Sequence, residues 1–231
     1  MKKTIAFLIV FSFQLNCFSQ EIRQNFSKEV KTKLEINYIL DLPSNQKEKY
    51  PLLVFLHGSG ERGTDLEIVK NHSPFTYKNL IKEPVGILAP QCPENVWWDT
   101  NAVYHLILEI ASKYNIDKSR IYLTGLSMGG WGTWKLAEEH PDLFAAIATV
   151  CAPADRLMKI QADKLKNIPI KIYHGALDDI VTPDQSIEMY LELKKINPNT
   201  DLIIFSKDNH NSWDSTYSNP EFYKWLLEQH K

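Results

Sequence analysis

The stretch of sequence that decides the fold is Arg120-Ile-Tyr-Leu-Thr-Gly125-Leu126-Ser127-Met128-Gly129-Gly130. It reads as an apolar strand, then the pattern Gly-x-Ser-x-Gly, then the start of a segment with helical spacing. A serine between such a strand and such a helix stands on a sharp, strained turn, and the glycines beside it remove side chains that would collide. A chance Gly-x-Ser-x-Gly in a loop lacks this context. The stretch therefore predicts that Ser127 is a catalytic nucleophile.

Short, continuous apolar runs recur on both sides of this stretch, as is typical of strands buried on both faces of a sheet. Segments with helical spacing alternate with them, and together they predict an α/β fold with a mostly parallel central sheet and helices on both faces. An alternating segment at 29–42 predicts a half-buried opening strand or hairpin before them. The apolar runs cover residues 52–56, 85–89, 121–123, 145–150, 170–173 and 202–205, and the helical segments cover 102–114, 129–140, 183–196 and 221–229.

Length and composition fit one domain. The chain has 231 residues, of which 44% are hydrophobic and 23% charged, and it shows no internal repeat or low-complexity linker. We therefore expect residues 21–231 to form a single catalytic domain. The stretch from 151 to 170 is too short for a separate cap domain, so we expect no large cap and an open site.

The first residues have the pattern of an export signal. Lys2 and Lys3 precede an apolar run at 5–13, and small or polar residues follow it. The run is about half as long as the ~20 residues that a membrane-spanning helix needs. We therefore predict a signal peptide at 1–20 and a secreted or periplasmic mature protein with no integral membrane span. Cys17 lies in a faint lipoprotein-like motif, so lipid anchoring stays open as an alternative.

Charge and cysteine content narrow the partners and the covalent chemistry. The formal net charge is -2, so the chain has no excess positive charge to neutralise a phosphate backbone, and we expect no nucleic-acid partner. After signal cleavage, Cys92 and Cys151 are the remaining cysteines. We expect them to be free, because single buried cysteines are common core residues.

A serine hydroxyl is a poor nucleophile at neutral pH, so Ser127 needs a histidine base and an acid that fixes the tautomer of that histidine. In folds with this turn the order along the chain is Ser, Asp, His. His210 and His230 follow Ser127 and a downstream acid. His230 lies at the chain terminus, whereas His210 follows an apolar strand on a polar loop. We predict His210 as the base.

The acid is predicted on the turn after the run at 170–173, where Asp178 and Asp179 are adjacent. Asp178 comes first off the strand, while Asp179 is placed to cap or solvate the turn before the next helix. Asp208 and Asp214 are closer to the base in sequence, but closeness in sequence does not aim a carboxylate at a ring nitrogen. We predict Asp178 as the acid.

The loop His57-Gly58-Ser59-Gly60-Glu61-Arg62-Gly63 contains a literal G-x-G-x-x-G. A dinucleotide site would open a helix inside the glycines and place an acidic residue after the next strand, which here ends in Ala89-Pro90-Gln91. The loop is therefore not interpreted as a dinucleotide-binding site. In a hydrolase such a loop supplies an oxyanion hole, where one backbone N–H contributes roughly 3 kcal/mol. We predict the N–H groups of Ser59 and Met128 as the donors and His57 as a structural residue of the loop.

Aromatic side chains are predicted beside the site. Trp97 and Trp98 follow the apolar run at 85–89 and emerge at the carboxyl edge of the sheet, where ligands bind in such folds. We predict that they contact substrate, and Trp213 is a third candidate. The histidines are scattered and no metal-binding motif occurs, so we expect no metal and no cofactor.

The combined motifs also resemble a known family. They are Leu53-Val-Phe-Leu-His-Gly-Ser-Gly-Glu-Arg-Gly63, Ala89-Pro-Gln-Cys-Pro93 with Trp97-Trp98, Leu123-Thr-Gly-Leu-Ser-Met-Gly-Gly-Trp-Gly-Thr-Trp134, His174-Gly175 with Asp178, and His210 with Trp213. From about Tyr50 onward the chain resembles bacterial carboxylesterases of the α/β-hydrolase superfamily often labelled predicted peptidases, which are similar to phospholipase/carboxylesterase, feruloyl-esterase and dienelactone-hydrolase proteins. The resemblance implies the α/β-hydrolase fold, Ser127, Asp178 and His210 as triad, and an oxyanion hole at Ser59 and Met128. Dienelactone hydrolases themselves typically use a cysteine nucleophile, from which this chain departs.

The resemblance and the predicted export imply a secreted carboxylesterase that acts on a small-molecule or polysaccharide-linked ester, with acetyl and feruloyl groups as candidates. A serine peptidase of the prolyl-oligopeptidase type is an alternative, although such enzymes usually carry a large additional domain. A non-catalytic binding module on the same fold is another, although it would have no need of a complete triad. Labelling with a fluorophosphonate separates the module from the enzymes.

Overall fold

The computed structural model describes residues 21–44 and 47–231. The chain divides into two units after Lys33, and residues 21–33 of the first unit have no regular secondary structure. The predicted signal peptide at 1–20, with Cys17, lies outside the described residues. In the part of the chain that is described, none of the helices is long and apolar enough to cross a membrane.

In the described residues of the second unit, seven strands form one sheet in the order β1-β3-β2-β4-β5-β6-β7. β1 pairs antiparallel with β3, and all the other neighbours pair in parallel. This confirms the predicted mostly parallel sheet. The strands are β1 (Asn37–Asp41), β2 (Tyr50–Leu56), β3 (Gly86–Gln91), β4 (Ile116–Leu126), β5 (Ala146–Val150), β6 (Ile170–Gly175) and β7 (Thr200–Phe205).

Helices cover both faces of the sheet, and β2 shows why. All its residues are buried, and successive side chains point to opposite faces. Leu52, Val54 and Leu56 pack into a cluster with α1, α2 and α4, whereas Leu53 and Phe55 pack into a second cluster with α5 and α6. Each such buried side chain contributes about 1.5–3 kcal/mol. The helices are α1 (Thr100–Lys113), α2 (Met128–Glu139), α3 (Arg156–Ile160), α4 (Asp184–Lys194), α5 (Trp213–Tyr217) and α6 (Pro220–Leu227).

The opening strand is shorter than its sequence pattern indicates. Alternation predicts a strand or hairpin at 29–42, but β1 covers only Asn37–Asp41. β1 has one partner, and its register runs from Asn37 opposite Gln91 to Asp41 opposite Ile87. A strand extends only as far as a neighbour offers backbone groups to pair with, so the pattern upstream of Asn37 has no ladder to join.

The connection from β5 to β6 agrees with the prediction of an open edge. It holds the five-residue helix α3 and a short 3-10 turn, Ala162–Leu165, and no large cap. Because β2 to β7 are parallel, their carboxyl ends open at one edge of the sheet. The loops after β2, β3, β4, β6 and β7 meet there, and each residue predicted for the site lies on one of these loops or at the start of the helix that follows it.

Candidate active site

Ser127 stands at the turn between β4 and α2 with a backbone conformation that non-glycine residues rarely adopt (φ 51°, ψ -118°). Two hydrogen bonds hold it: its N–H donates to Val150 O at 2.9 Å, and its carbonyl accepts from Trp131 N–H at 3.1 Å. The turn also needs Gly129, because a Cβ there would lie 1.9 Å from Leu56 O. A strained serine held by a strand on one side and a helix on the other presents its hydroxyl at the sheet edge.

His210 links Ser127 to Asp178. Its Nε2 lies 3.0 Å from Ser127 Oγ, and its Nδ1 lies 2.8 Å from Asp178 Oδ2. A carboxylate oxygen only accepts hydrogen bonds, so Nδ1 carries the hydrogen in the neutral ring. Nε2 is then free to accept the serine proton. The three side chains predicted from three separate parts of the sequence therefore form one hydrogen-bonded chain.

Gly175 allows the loops that carry Asp178 and His210 to approach each other. It ends β6, and a Cβ at this position would lie 2.2 Å from Asn209 O and 2.5 Å from Asp208 O. The N–H of Leu177 donates to the same Asp208 carbonyl at 2.9 Å. The turn that bears the acid and the turn that bears the base are thus joined through their backbones.

Asp178 is buried, and its side chain accepts hydrogen bonds at both oxygens. Oδ1 accepts from the backbone N–H groups of Ile180 and Val181, each at 3.0 Å. Oδ2 lies 2.8 Å from His210 Nδ1 and 3.1 Å from Nε2 of a second histidine, His174. The structure thus brings Asp178 to the base, whereas Asp179 is exposed. The contact with His174 is one that the sequence did not point to, although His174-Gly175 stands in a recognisable motif.

The two predicted oxyanion donors begin helical segments. Met128 is the first residue of α2, and Ser59 is the first residue of a 3-10 turn, Ser59–Glu61. The first N–H groups of a helix have no acceptor within it, so both amides are available to a ligand. The loop of Ser59 lies directly against β4, since a Cβ on Gly58 would be 2.7 Å from the side chain of Leu126.

His57 holds the backbone of this loop. Its Nδ1–H donates to Gly58 O at 2.6 Å, and its Nε2 accepts from Cys92 N–H at 3.0 Å. Trp98 Nε1–H donates to the carbonyl of His57 at 3.3 Å. The ring is fully buried, and this burial lowers the pKa of His57 to about 4. His57 is therefore a neutral imidazole that joins the loop after β2 to the loop after β3.

Gln91 and Arg62 complete this attachment, and the sequence did not single out either contact. Gln91 Nε2 donates to Glu61 O at 3.0 Å and to Asp65 O at 2.8 Å. Arg62 Nε donates to Ser59 O at 3.0 Å, and its terminal nitrogen reaches Val96 O at 3.4 Å. A polar glutamine at the end of an otherwise apolar strand was the signal that could have revealed Gln91.

The predicted substrate-contacting tryptophans have different environments. Trp97 is 54% exposed and packs edge-on against Trp131, with ring centroids 5.0 Å apart. Trp98 is only 4% exposed, and its indole N–H donates to the carbonyl of His57, so most of its ring supports the loop of His57. Its predicted contact with substrate stays a prediction. Trp213 is half-buried, and its ring lies edge-on to His210 at 5.5 Å.

Cys92 and Cys151 are free, as expected, and both are buried. Donor atoms of Cys151, Asp178 and His210 lie within 4.8 Å of one another, a spacing that could suit a metal ion. The carboxylate and the imidazole are already hydrogen-bonded to each other. Burial raises the pKa of the Cys151 thiol, which disfavours the thiolate that a metal requires. The geometry therefore favours acid–base chemistry at this cluster.

A profile of the dienelactone hydrolase family matches residues 92–218, which is more than half of the chain. Two curated relatives are acetylxylan esterases. A bifunctional acetylxylan esterase/xylanase of Neocallimastix patriciarum is 29% identical over 162 residues, covering 65% of this chain and 22% of that protein. A probable acetylxylan esterase A of Aspergillus terreus is 30% identical over 128 residues, covering 47% and 40%. The chain thus spans less than half the length of either relative.

Solved structures agree with the family match. A thermostable esterase is 36% identical with a TM-score of 0.79, covering 87% of this chain and 60% of that one. The ferulic-acid complex of Est1E from Butyrivibrio proteoclasticus is 18% identical with a TM-score of 0.62, covering 84% and 95%. At that level of identity the second likeness shows the shared fold.

Proposed function

The chain belongs to the dienelactone hydrolase family of the α/β-hydrolase superfamily, and from this premise we propose that it is a secreted serine carboxylesterase. In this proposal Ser127 is the nucleophile, His210 the general base and Asp178 the acid. The observation that carries the proposal is the hydrogen-bonded chain Ser127–His210–Asp178 beginning at a strained turn. The likeness to acetylxylan esterases supports the ester as the bond that is cleaved.

In the acylation step, Ser127 Oγ attacks the ester carbonyl carbon while its proton moves to His210 Nε2, 3.0 Å away. Asp178 stabilises the imidazolium that forms. The carbonyl oxygen becomes an alkoxide, to which the N–H groups of Ser59 and Met128 donate in this proposal; both residues begin helical segments. As the carbonyl reforms, the ester C–O bond breaks, and the leaving alkoxide takes the proton from His210.

Deacylation repeats these steps with water. His210 accepts a proton from water, the hydroxide attacks the acyl carbon, and the Ser127 Oγ–acyl bond breaks. Ser127 recovers its proton from His210, and the carboxylic acid is released. Each turnover therefore consumes one water and yields one alcohol and one acid, with no cofactor required.

We place the enzyme outside the cytoplasm, with residues 1–20 as a cleaved signal and residues 21–231 as the catalytic domain. Anchoring through Cys17 is the alternative. The substrate class is an acetyl or feruloyl ester on a polysaccharide or small molecule. The acetylxylan esterase relatives, the short β5–β6 connection and the exposed Trp97 support this class, because an uncapped edge admits a polymer and an exposed indole stacks on sugar rings.

The test is Ser127→Ala in the purified mature protein, assayed with p-nitrophenyl acetate, acetylated xylan, methyl ferulate and a peptide anilide. We expect hydrolysis of the esters to fall about a million-fold, while thermal unfolding stays unchanged. Ser112→Ala, on the exposed surface of α1, is the matched control and should retain full activity. Ester hydrolysis that survives in a clean Ser127→Ala preparation would disprove the assignment, and a preference for the anilide would favour the peptidase.

Acyl chain length gives a second test. With only α3 and a 3-10 turn between β5 and β6, nothing there encloses a long acyl chain, and each buried methylene is worth only ~0.8 kcal/mol. We expect kcat/KM to be highest for p-nitrophenyl acetate or butyrate and lower for decanoate and palmitate, with no jump in rate above the micelle concentration. A maximum at decanoate or longer would contradict the open site.

A further inference from the structure

His174 is a second histidine on the candidate acid, and its surroundings define its tautomer. It is fully buried near the end of β6. Its Nε2 lies 2.7 Å from Val181 O and 3.1 Å from Asp178 Oδ2. Both oxygens only accept hydrogen bonds, so Nε2 must carry a hydrogen and donate it to them.

Ser186 holds the other side of this ring. Its Oγ lies 2.6 Å from His174 Nδ1, and it is itself 2% exposed in the first turn of α4. In a neutral ring whose Nε2 carries the hydrogen, Nδ1 accepts from the serine hydroxyl. The hydroxyl therefore locks both the orientation and the tautomer that aim Nε2–H at Asp178.

The side chain of Asp178 has no solvent exposure, so its charge depends entirely on protein donors. Oδ1 accepts from two backbone amides, and Oδ2 lies within hydrogen-bond distance of both His210 and His174. The two histidines thus share one oxygen. Donation from His174 withdraws charge from the same atom that holds the Nδ1 proton of His210.

We propose that His174, oriented by Ser186, is a positioning residue that sets how strongly Asp178 holds His210 in its protonated form. This inference rests on the proposed roles of Ser127, His210 and Asp178. Without the His174 donor, the carboxylate of Asp178 carries more negative charge at Oδ2 and is held by one hydrogen bond fewer. His210 then keeps its added proton to higher pH, so the base is available over a narrower range.

Other ionisable groups lie near Asp178 and its two histidines, and they are the same in the wild type and in every variant compared below. Cys151 at the end of β5 lies within 4.8 Å of the acid, and burial raises its thiol pKa. Asp208 lies on the loop that bears His210, and Asp179 adjoins Asp178. All three are present in every variant, so their influence cancels when variants are compared at the same pH.

The test measures the rate at which a fluorophosphonate labels Ser127 as a function of pH. In this reaction a bond forms from Ser127 Oγ to phosphorus, the P–F bond breaks, fluoride leaves, and His210 takes the serine proton. The rate reports activation of the serine and does not depend on which ester the enzyme prefers. Failure of the proposed substrate class and failure of this inference are therefore distinguishable.

Three variants are compared with the wild type. His174→Leu removes the donor, and we expect labelling at its plateau to slow roughly tenfold and the acid limb of the profile to move up by about one pH unit. Ser186→Ala removes the hydrogen bond that orients the ring of His174, and it should move the acid limb up by less than His174→Leu does. His174→Gln keeps an N–H donor, and we expect it to restore most of the profile.

His140→Gln is the matched control, because His140 is stacked on Tyr104 at 3.6 Å and belongs to none of these contacts. It should leave the profile unchanged. A folded His174→Leu whose profile overlays that of the wild type, or whose limb moves to lower pH, overturns the inference. If His174→Leu does not fold, Ser186→Ala decides: an unmoved limb there overturns the inference equally. Labelling of the wild type without hydrolysis of any ester would sink the proposed substrate class alone.

Discussion

The loops after β6 and β7 are joined by contacts between ionisable side chains as well as by a backbone hydrogen bond, whereas the loop after β2 is held by side chains that bind backbone groups. At the first place Asp178 binds His210 and His174. At the second, neutral His57 and the amide of Gln91 bind backbone groups of the loops after β2 and β3. Both arrangements fix a functional group at the same edge of the sheet.

The difference follows from what each region must do. In the proposed mechanism the acid–base end changes its protonation during a turnover, so its contacts involve groups that can change charge. In the same mechanism the oxyanion end only holds two N–H groups in place, so its contacts can be made by groups that stay neutral during a turnover. Variants at the acid–base end should therefore alter the pH dependence of the rate. Variants at the oxyanion end should alter the rate or the stability and leave the pH profile of the rate unmoved.

The largest effect is expected at the acid. Asp178→Asn should lower kcat by about 10⁴-fold, because an amide cannot stabilise the imidazolium and selects the wrong tautomer of His210. Asp179→Asn, adjacent in sequence but exposed, is the matched control and should stay within about threefold of wild type. Steady-state kinetics on one ester measures both. If the two results were exchanged, the turn after β6 would carry the acid on Asp179.

His57 should govern stability in acid. Its pKa is about 6.5 when unfolded and about 4 when folded, so the unfolded chain binds the proton first as the pH falls. The stability that comes from its neutral form is complete above pH 6.5 and is lost as the pH falls through 4, a loss of about 3 kcal/mol at pH 4.

Urea unfolding of wild type and His57→Gln at pH 7 and pH 4 checks this. The decrease in unfolding free energy between the two pH values should be about 3 kcal/mol smaller in the variant, since glutamine does not titrate. His105→Gln, exposed on α1, should leave the decrease as it is in the wild type. Equal decreases in wild type and His57→Gln would mean that His57 is not held neutral in the folded protein.

Arg62 should show the smallest effect. Arg62→Met removes the donors to Ser59 O and Val96 O, which loosens one oxyanion donor without deleting it. We expect kcat to fall about tenfold, less than the 10²–10³ that follows loss of a donor, with the acid limb of the rate profile unmoved. Arg156→Met, exposed on α3, removes the same charge elsewhere and should leave kcat unchanged. A shift of the acid limb in Arg62→Met would contradict the proposed difference between the acid–base end and the oxyanion end.

Much of the fold and the candidate site could be predicted from local sequence. Apolar runs and helical spacing reported the strands and helices, because burial on two faces leaves a pattern within each segment. The stretch around Ser127 predicted the turn that carries this serine, since the strand, the glycines and the helix are adjacent in the chain. His210 and Asp178 could be named because each follows a strand, and parallel strands end at one edge.

Only the tertiary structure decided which side chains meet. The sequence pattern could not show that Trp98 turns inward to the carbonyl of His57, or that His174 and Ser186, twelve positions apart, both lie behind Asp178. Nor could it show that β1 begins only at Asn37, opposite the last residue of β3. These contacts join different strands, turns and helices, and their geometry depends on how those elements pack. A local pattern records whether a residue is buried, whereas its partner is set by the fold.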